Sequence, residues 1–189
     1  MSLFDGLMNF TYKTTCAMLG LDLTTQQENI MPLDLEDSPG SLENPNSDYV
    51  FYMVQFDDAD INRQIDDLTV PNDNPALTTK RIQYVRSLRI NWQTYGDDGF
   101  EWADTIRTML FDRDIQALFA AQGISLVTDV PEPVYIPEKI GQQWYKRYDV
   151  SAKFNQLVTK ESNVPAISGA EILLEDEKGV MGTCSVSGQ

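Results

Sequence analysis

The chain has 189 residues, within the roughly 100 to 200 expected of one domain, and its 42% hydrophobic content is enough for one continuous core. Fourteen Lys and Arg stand against 29 Asp and Glu, a formal net charge of −15 that repels nucleic acid phosphates and anionic membrane surfaces. There is no histidine for proton transfer near neutral pH, and no run approaches the about 18 apolar residues of a membrane-spanning helix.

The N-terminal stretch carries Asp5 and Lys13 and lacks a basic start, so export through a signal peptide is not expected. It reads instead as a helix to about Leu19, with Leu3, Leu7, Phe10, Thr14 and Ala17 on one face and Gly20 as its stop. From Thr24 to Ser47, Pro32, Pro39, Gly40 and Pro45 mark a connector with one possible short strand at Asn29 to Leu33. "DYVFYMVQF", Asp48 to Phe56, is apolar at both parities, as expected of a strand covered on both sides within the chain, or on one side by a neighbouring subunit. Residues 57–79 then read as a long aspartate-rich loop, far beyond an ordinary hairpin connection, with few anchoring apolars beyond Ile61, Ile65, Leu68 and Val70, which flank Asp66 and Asp67. Such a loop is expected to be mobile in the free subunit and to order on docking, which makes these six residues a candidate assembly surface.

The chain returns as a long strand, Lys80 to Tyr95, where Leu88, Ile90, Trp92 and Thr94 alternate with polar residues. Gly96 breaks it. Asp98 and Glu101 then have the spacing of a capping box, and a helix is expected over Gly99 to Phe111 with Phe100, Ala103, Ile106, Met109 and Leu110 on its apolar side. "DRD" at Asp112 to Asp114 allows a restart into a second short helix ending near Gly123, followed by a short strand at Ser125 to Thr128. Three prolines between Val130 and Gly141 suit an edge or crossing segment. A second long strand follows, with Trp144, Tyr148, Val150, Ala152, Phe154 and Val158 sharing one parity. Gly169 to Glu175 adds a last short strand, and residues 179–189 read as a mobile tail closing a single domain over 1–178. The pattern is that of an α+β fold, a mainly antiparallel sheet of long strands against two or so helices, with Trp92, Ala103, Ile106, Trp144 and Phe154 as core positions.

Chemistry finds little purchase. Asp58, Asp60 and Asn62 have the spacing that opens a calcium-binding EF-hand loop, but Arg63 stands where glycine is needed and Thr69 where a bidentate glutamate belongs. Asp97, Asp98, Glu101, Asp112 and Asp114 resemble a two-metal set, yet capping accounts for the first group more simply. No Gly-rich phosphate cradle or GxSxG elbow is present, and Cys16 and Cys184 lie near opposite ends without a CxxC, as free thiols of a reducing compartment would. No enzyme activity, cofactor or metal is expected.

"RSLRINWQTYGDDGFEWADTIRTML", "GISLVTDVPEPVYIP" and "GQQWYKRYDVSAKFNQLVT" together resemble the phage neck terminator proteins, also described as tail terminator or tail completion proteins. The resemblance covers roughly Arg81 to Glu175: a strand ending in an aromatic, Tyr95, a "GxD" corner, a helix with Ala103 and Ile106, a proline-containing segment and a long aromatic-rich strand. "NQLVT" stands where an "NP" ending is usual, and the 57–79 segment is unusually long. What the resemblance implies is a virion protein assembled in the host cytoplasm. It implies a six-fold ring with itself that caps the tail tube and meets the head connector, while DNA passes through without specific binding and no membrane takes part. A tube or baseplate subunit and an acidic DNA mimic are the competing readings; copy number per particle separates the first, and phosphate-like spacing of carboxylates on one face the second.

Overall fold

In the computed structural model, which describes residues 3–22, 29–33, 47–74, 76–166, 169–176 and 179–187, two 19-residue strands organise everything else. The first, β4 (Leu77–Tyr95), and the second, β9 (Arg147–Pro165), are neighbours in a seven-stranded sheet. Their side-chain pairs Thr79–Asn163, Arg81–Glu161, Gln83–Thr159 and Ser87–Asn155 rise on one strand as they fall on the other, so the two run antiparallel. The chain forms two compact units, one of residues 1–63 and 85–157, the other of 64–84 and 158–189.

In the larger unit, β2 (Tyr49–Phe56) pairs antiparallel with β4 from Tyr49↔Tyr95 to Phe56↔Leu88, and β1 (Ile30–Pro32) lies parallel to β2. On the far side of β9, β5 (Ile124–Leu126) pairs near Phe154 and β6 (Val134–Tyr135) near Tyr148. One face of this sheet is covered by α1 (Leu3–Leu19), α2 (Gly99–Met109) and α3 (Arg113–Ala121). The alternation at Leu88, Ile90 and Trp92 places all three in this core, together with Ala103, Ile106 and Phe154, which are fully buried. Phe119 stacks on Phe154 at 4.7 Å between ring centroids and meets Phe10 edge-on at 5.1 Å.

α1 buries Leu7 and Thr14 of the expected face and packs Phe10 against the core, but its buried face is broader than the apolar spacing indicates. Ala17 is exposed, while Thr11, Thr14, Thr15, Cys16 and Met18 are buried. The threonines tolerate this because each hydroxyl donates to the carbonyl four residues earlier, at 2.8 to 2.9 Å, so no polar group is stranded. Thr15 Oγ1 also accepts the Trp92 indole N–H at 2.9 Å, tying helix to strand.

Among the described residues, the other face is covered at one end. There Phe51, Tyr95 and Tyr145 form a second buried cluster with Ile140, under a hairpin of β7 (Glu138–Ile140) and β8 (Gln143–Tyr145). The two-sided apolar pattern of β2 is thus met within the chain: Val50, Tyr52 and Val54 pack under the helices and Phe51 under the hairpin. Arg147 anchors this end, its guanidinium donating to both oxygens of Asp149 at 2.6 and 2.7 Å and to Glu138 at 3.2 Å, while the Tyr95 hydroxyl donates to Glu138 at 2.7 Å. The Asp149 bond raises the Arg147 pKa further, and burial followed by the Glu138 bond pushes the Tyr95 phenol up.

Four expectations are corrected. Trp144 does not belong to the core: it is 67% exposed, because the long strand is interrupted at Lys146 and the short β8 turns Tyr145 inward instead, inverting the parity. The Asp98–Glu101 capping box does not form. Asp98 stands at the N-cap of α2 but its side chain makes no capping bond, and the Asp98 N–H that Glu101 would receive is taken by Asp48 Oδ1 at 2.9 Å. A carboxylate 50 residues away does the work that local spacing assigned to a neighbour. The 57–79 segment is not an irregular loop but a short 3-10 turn over Asp60–Arg63 followed by β3 (Ile65–Pro71), antiparallel to β4 from Ile65↔Tyr84 to Pro71↔Thr78. The 179–189 tail contains β11 (Gly179–Ser187), which pairs antiparallel with β10 (Gly169–Asp176); the Cys184 side chain lies outside those described. In both cases the missing ingredient is a partner strand, which supplies hydrogen bonds that local propensity does not reveal. At Asp112, by contrast, local reading and structure coincide: its carboxylate accepts from the N–H groups of Asp114 and Ile115 and starts α3.

Candidate assembly surface

The smaller unit carries five of the six residues singled out for docking, Ile65, Asp66, Asp67, Leu68 and Val70, and Ile61 lies in the larger one. β4 receives a new partner where β2 ends, and Asn62 manages the exchange. Its amide nitrogen donates to the Asp57 carbonyl while its oxygen accepts the Ser87 N–H at 2.9 Å, so the β4 backbone stays bonded between two partner strands. Asp58 and Asp60 both pair with Arg63, at 3.4 and 3.3 Å, the residue that spoils the EF-hand spacing. Asp57 is held by Lys153 and Arg89, each at 3.4 Å; burial pushes its carboxyl up, but these cations outweigh that and keep it below the ordinary carboxylate value. Asp58, Asp60 and Asn62 of the apparent calcium motif thus each have a protein partner, the two aspartates in solvent-exposed pairs. Among the described residues, no cluster of three or more acidic or cysteine side chains is placed to hold a metal. Millimolar calcium, magnesium or a chelator is expected to leave the thermal midpoint unchanged; a calcium-induced rise of many degrees would restore Asp58, Asp60 and Asn62 as ligands.

Beyond Asn62, β3, the N-terminal part of β4 and the C-terminal part of β9 form a three-stranded arm. Its turn is built from asparagines. Asn72 Oδ1 accepts the Asn74 N–H, Asn74 Oδ1 accepts the Ala76 N–H, and the Asn72 amide reaches Asn163 on β9 at 3.0 Å. One face of the arm is a polar ladder, Gln83–Thr159, Arg81–Glu161 at 2.6 Å and Thr79–Asn163. β3 itself contributes almost nothing to a core. Ile65 is 63% exposed, Ile61 47% and Leu68 45%, Val70 is half-buried, and Asp66 and Asp67 are both exposed, with Asp67 paired to Lys80 at 2.9 Å. Apolar side chains standing in water on an edge strand gain little from the folding of an isolated chain, and they are what an interface would cover.

A second exposed patch lies on the larger unit and was not anticipated. Tyr148 meets Tyr135 at 5.1 Å and Phe100 at 5.6 Å, with Val134 and Tyr135 each 54% exposed beside them. Phe100, placed on the apolar stripe of α2 by its spacing, points outward into this patch. The signal for it was present in "EPVYIP", three large apolar residues between two prolines, which an edge segment has no core to bury.

No helix among the described residues is long and apolar enough to cross a membrane. The family model described as "Phage neck terminator protein" matches residues 10–177, leaving out only the first nine and last twelve residues. Among curated proteins, none matches the sequence.

Proposed function

Because the chain belongs to the phage neck terminator family, we propose that it forms a six-fold ring that ends the tail tube and joins it to the head connector around the DNA path. The family match over residues 10–177 carries this reading, and the role it assigns in the phage neck is structural. The charge supports a channel function. Phosphates held by Lys and Arg stall, whereas a chain at −15 offers passing DNA little to grip. The same charge opposes self-association, so free subunits stay monomeric until the tube or the connector brings them together. Counting and locating the protein in purified particles tests this. Six copies at the head–tail junction support the ring; many copies along the tail make it a tube subunit.

The arm is the proposed assembly surface. Asp66→Lys with Asp67→Lys removes no buried group and disturbs one exposed ion pair, a change of about 0.5 to 1 kcal/mol, so the free subunit is expected to stay folded. Particles made with this variant are expected to fall apart into separate full heads and tails, with the soluble protein left unincorporated. Normal infectious particles containing it would take the arm out of the mechanism.

A further inference from the structure

Both outer edges of the three-stranded arm lack a strand partner among the described residues. β3 pairs only with β4, and on β9 the last external bond is from the Leu157 N–H to the Gly123 carbonyl, beyond which residues 158–165 present a bare edge. The two edges match in length, seven residues on β3 and eight on β9, and both carry apolar residues, Ile65, Leu68 and Val70 on one, Val158 and Val164 on the other. Exposed edges of this length invite pairing, and folded proteins either blunt them or cover them.

We infer that the occupant is a second copy of this chain, with β3 of one subunit adding alongside residues 158–165 of β9 in the next, so that the arms join into one continuous sheet. Resting on the ring proposed above, it names the contact that closes it. Direction favours this junction: β3 and β9 are both antiparallel to β4 and therefore run the same way, so a rotation that preserves strand direction sets one beside the other as a parallel pair. Charge favours it as well. Pairing β3 with itself across a two-fold axis gathers Asp66 and Asp67 of both copies into one short ladder, which like-charge repulsion opposes. Pairing β3 with β9 instead puts Asp67 on the face that carries exposed Lys160, while Glu161, on the face of Asp66, is already held by Arg81. A junction between unlike edges covers both in every copy and repeats around a ring, whereas a two-fold contact stops at a dimer.

The test uses thiol cross-linking in assembled particles, in a chain carrying Cys184→Ser so that this thiol does not react. Thr69 and Ser162 lie on the same face of the arm, and Thr69→Cys is combined in turn with Ser162→Cys and Val164→Cys to cover the register. At least one double variant is expected to give a ladder of covalent oligomers ending in a closed ring. Single variants alone should give none, and a mixture of the two single variants only dimers. Dimers from Thr69→Cys alone would overturn the inference in favour of a β3–β3 contact. A ladder closing at a number other than six leaves the junction standing and removes the hexamer. Six copies in the particle with no cross-link in any combination keep the hexamer and remove the junction. Should the cysteine variants fail to assemble, amide exchange on the unaltered protein decides. Residues 65–71 and 158–165 are expected to exchange at least about tenfold more slowly in particles than in the free subunit, and equal rates would overturn the inference.

Discussion

Trp92→Ala is expected to lower the unfolding free energy by about 3 to 5 kcal/mol, a large share of the roughly 5 to 15 kcal/mol typical of a domain. The indole is fully buried near the C-terminal end of β4, in one cluster with residues of all three helices, and its N–H donates to Thr15 Oγ1. Alanine there leaves a cavity that α1 and α2 cannot both close, because each is also fixed to β2 and β9 residues in the same core. Thr15 keeps its own bond to the Thr11 carbonyl, so most of the loss is packing. Trp92→Phe separates the contributions. It keeps most of the volume and gives up the hydrogen bond, so its loss is expected to be smaller, about 1 kcal/mol. Urea unfolding of the free subunit measures both. A loss under about 1 kcal/mol for Trp92→Ala would mean that this residue does not organise the core.

Gly96→Ala is the second large effect, expected at roughly 2 to 5 kcal/mol from combined backbone strain and overpacking. Gly96 ends β4 with φ of +104°, a conformation that alanine avoids. An added Cβ would also collide with the Asp48 carboxylate and lie 2.7 Å from the Ser47 carbonyl oxygen and 2.8 Å from Asp48 Cα. The side chain can move, the backbone much less so, and moving Asp48 costs the cap on the Asp98 N–H. Asp48→Ala in the same chain is therefore expected to recover only part of the loss, since the backbone contacts and the φ angle remain. If Gly96→Ala unfolds at the same urea concentration as the parent, the corner between β4 and α2 is not held by the approach of Ser47 and Asp48.

Much of the architecture could be read from local pattern. The alternation from Leu88 to Thr94 put Trp92 on the buried face of β4, the spacing of Ala103 and Ile106 put both under the sheet, and Phe154 followed from the parity of its strand. Burial of one face imposes its period on the chain, and a period survives in a one-dimensional string. Helix bounds at Gly20 and Asp112 were legible for the same reason: stop and cap act within a few residues of themselves.

What depended on distant residues was not legible. Asp98 and Glu101 had the right spacing for a cap, yet Asp48 captured the N–H, and sequence distance says nothing about which carboxylate arrives. Trp144 kept the parity of its strand in the string, but Lys146 ends one ladder and Arg147 begins another, and only the pairing of β8 with β7 decides that Tyr145 turns inward. β3 was hidden because aspartates lower strand propensity and neither of its faces is buried; its ladder exists because β4 extends beyond the end of β2 and offers it a partner. Ile61, Ile65, Leu68 and Val70 stood out in the string as apolars without an evident core, but that Ile65, Leu68 and Val70 belong to a strand paired with β4, and Ile61 to the turn before it, follows only from the fold.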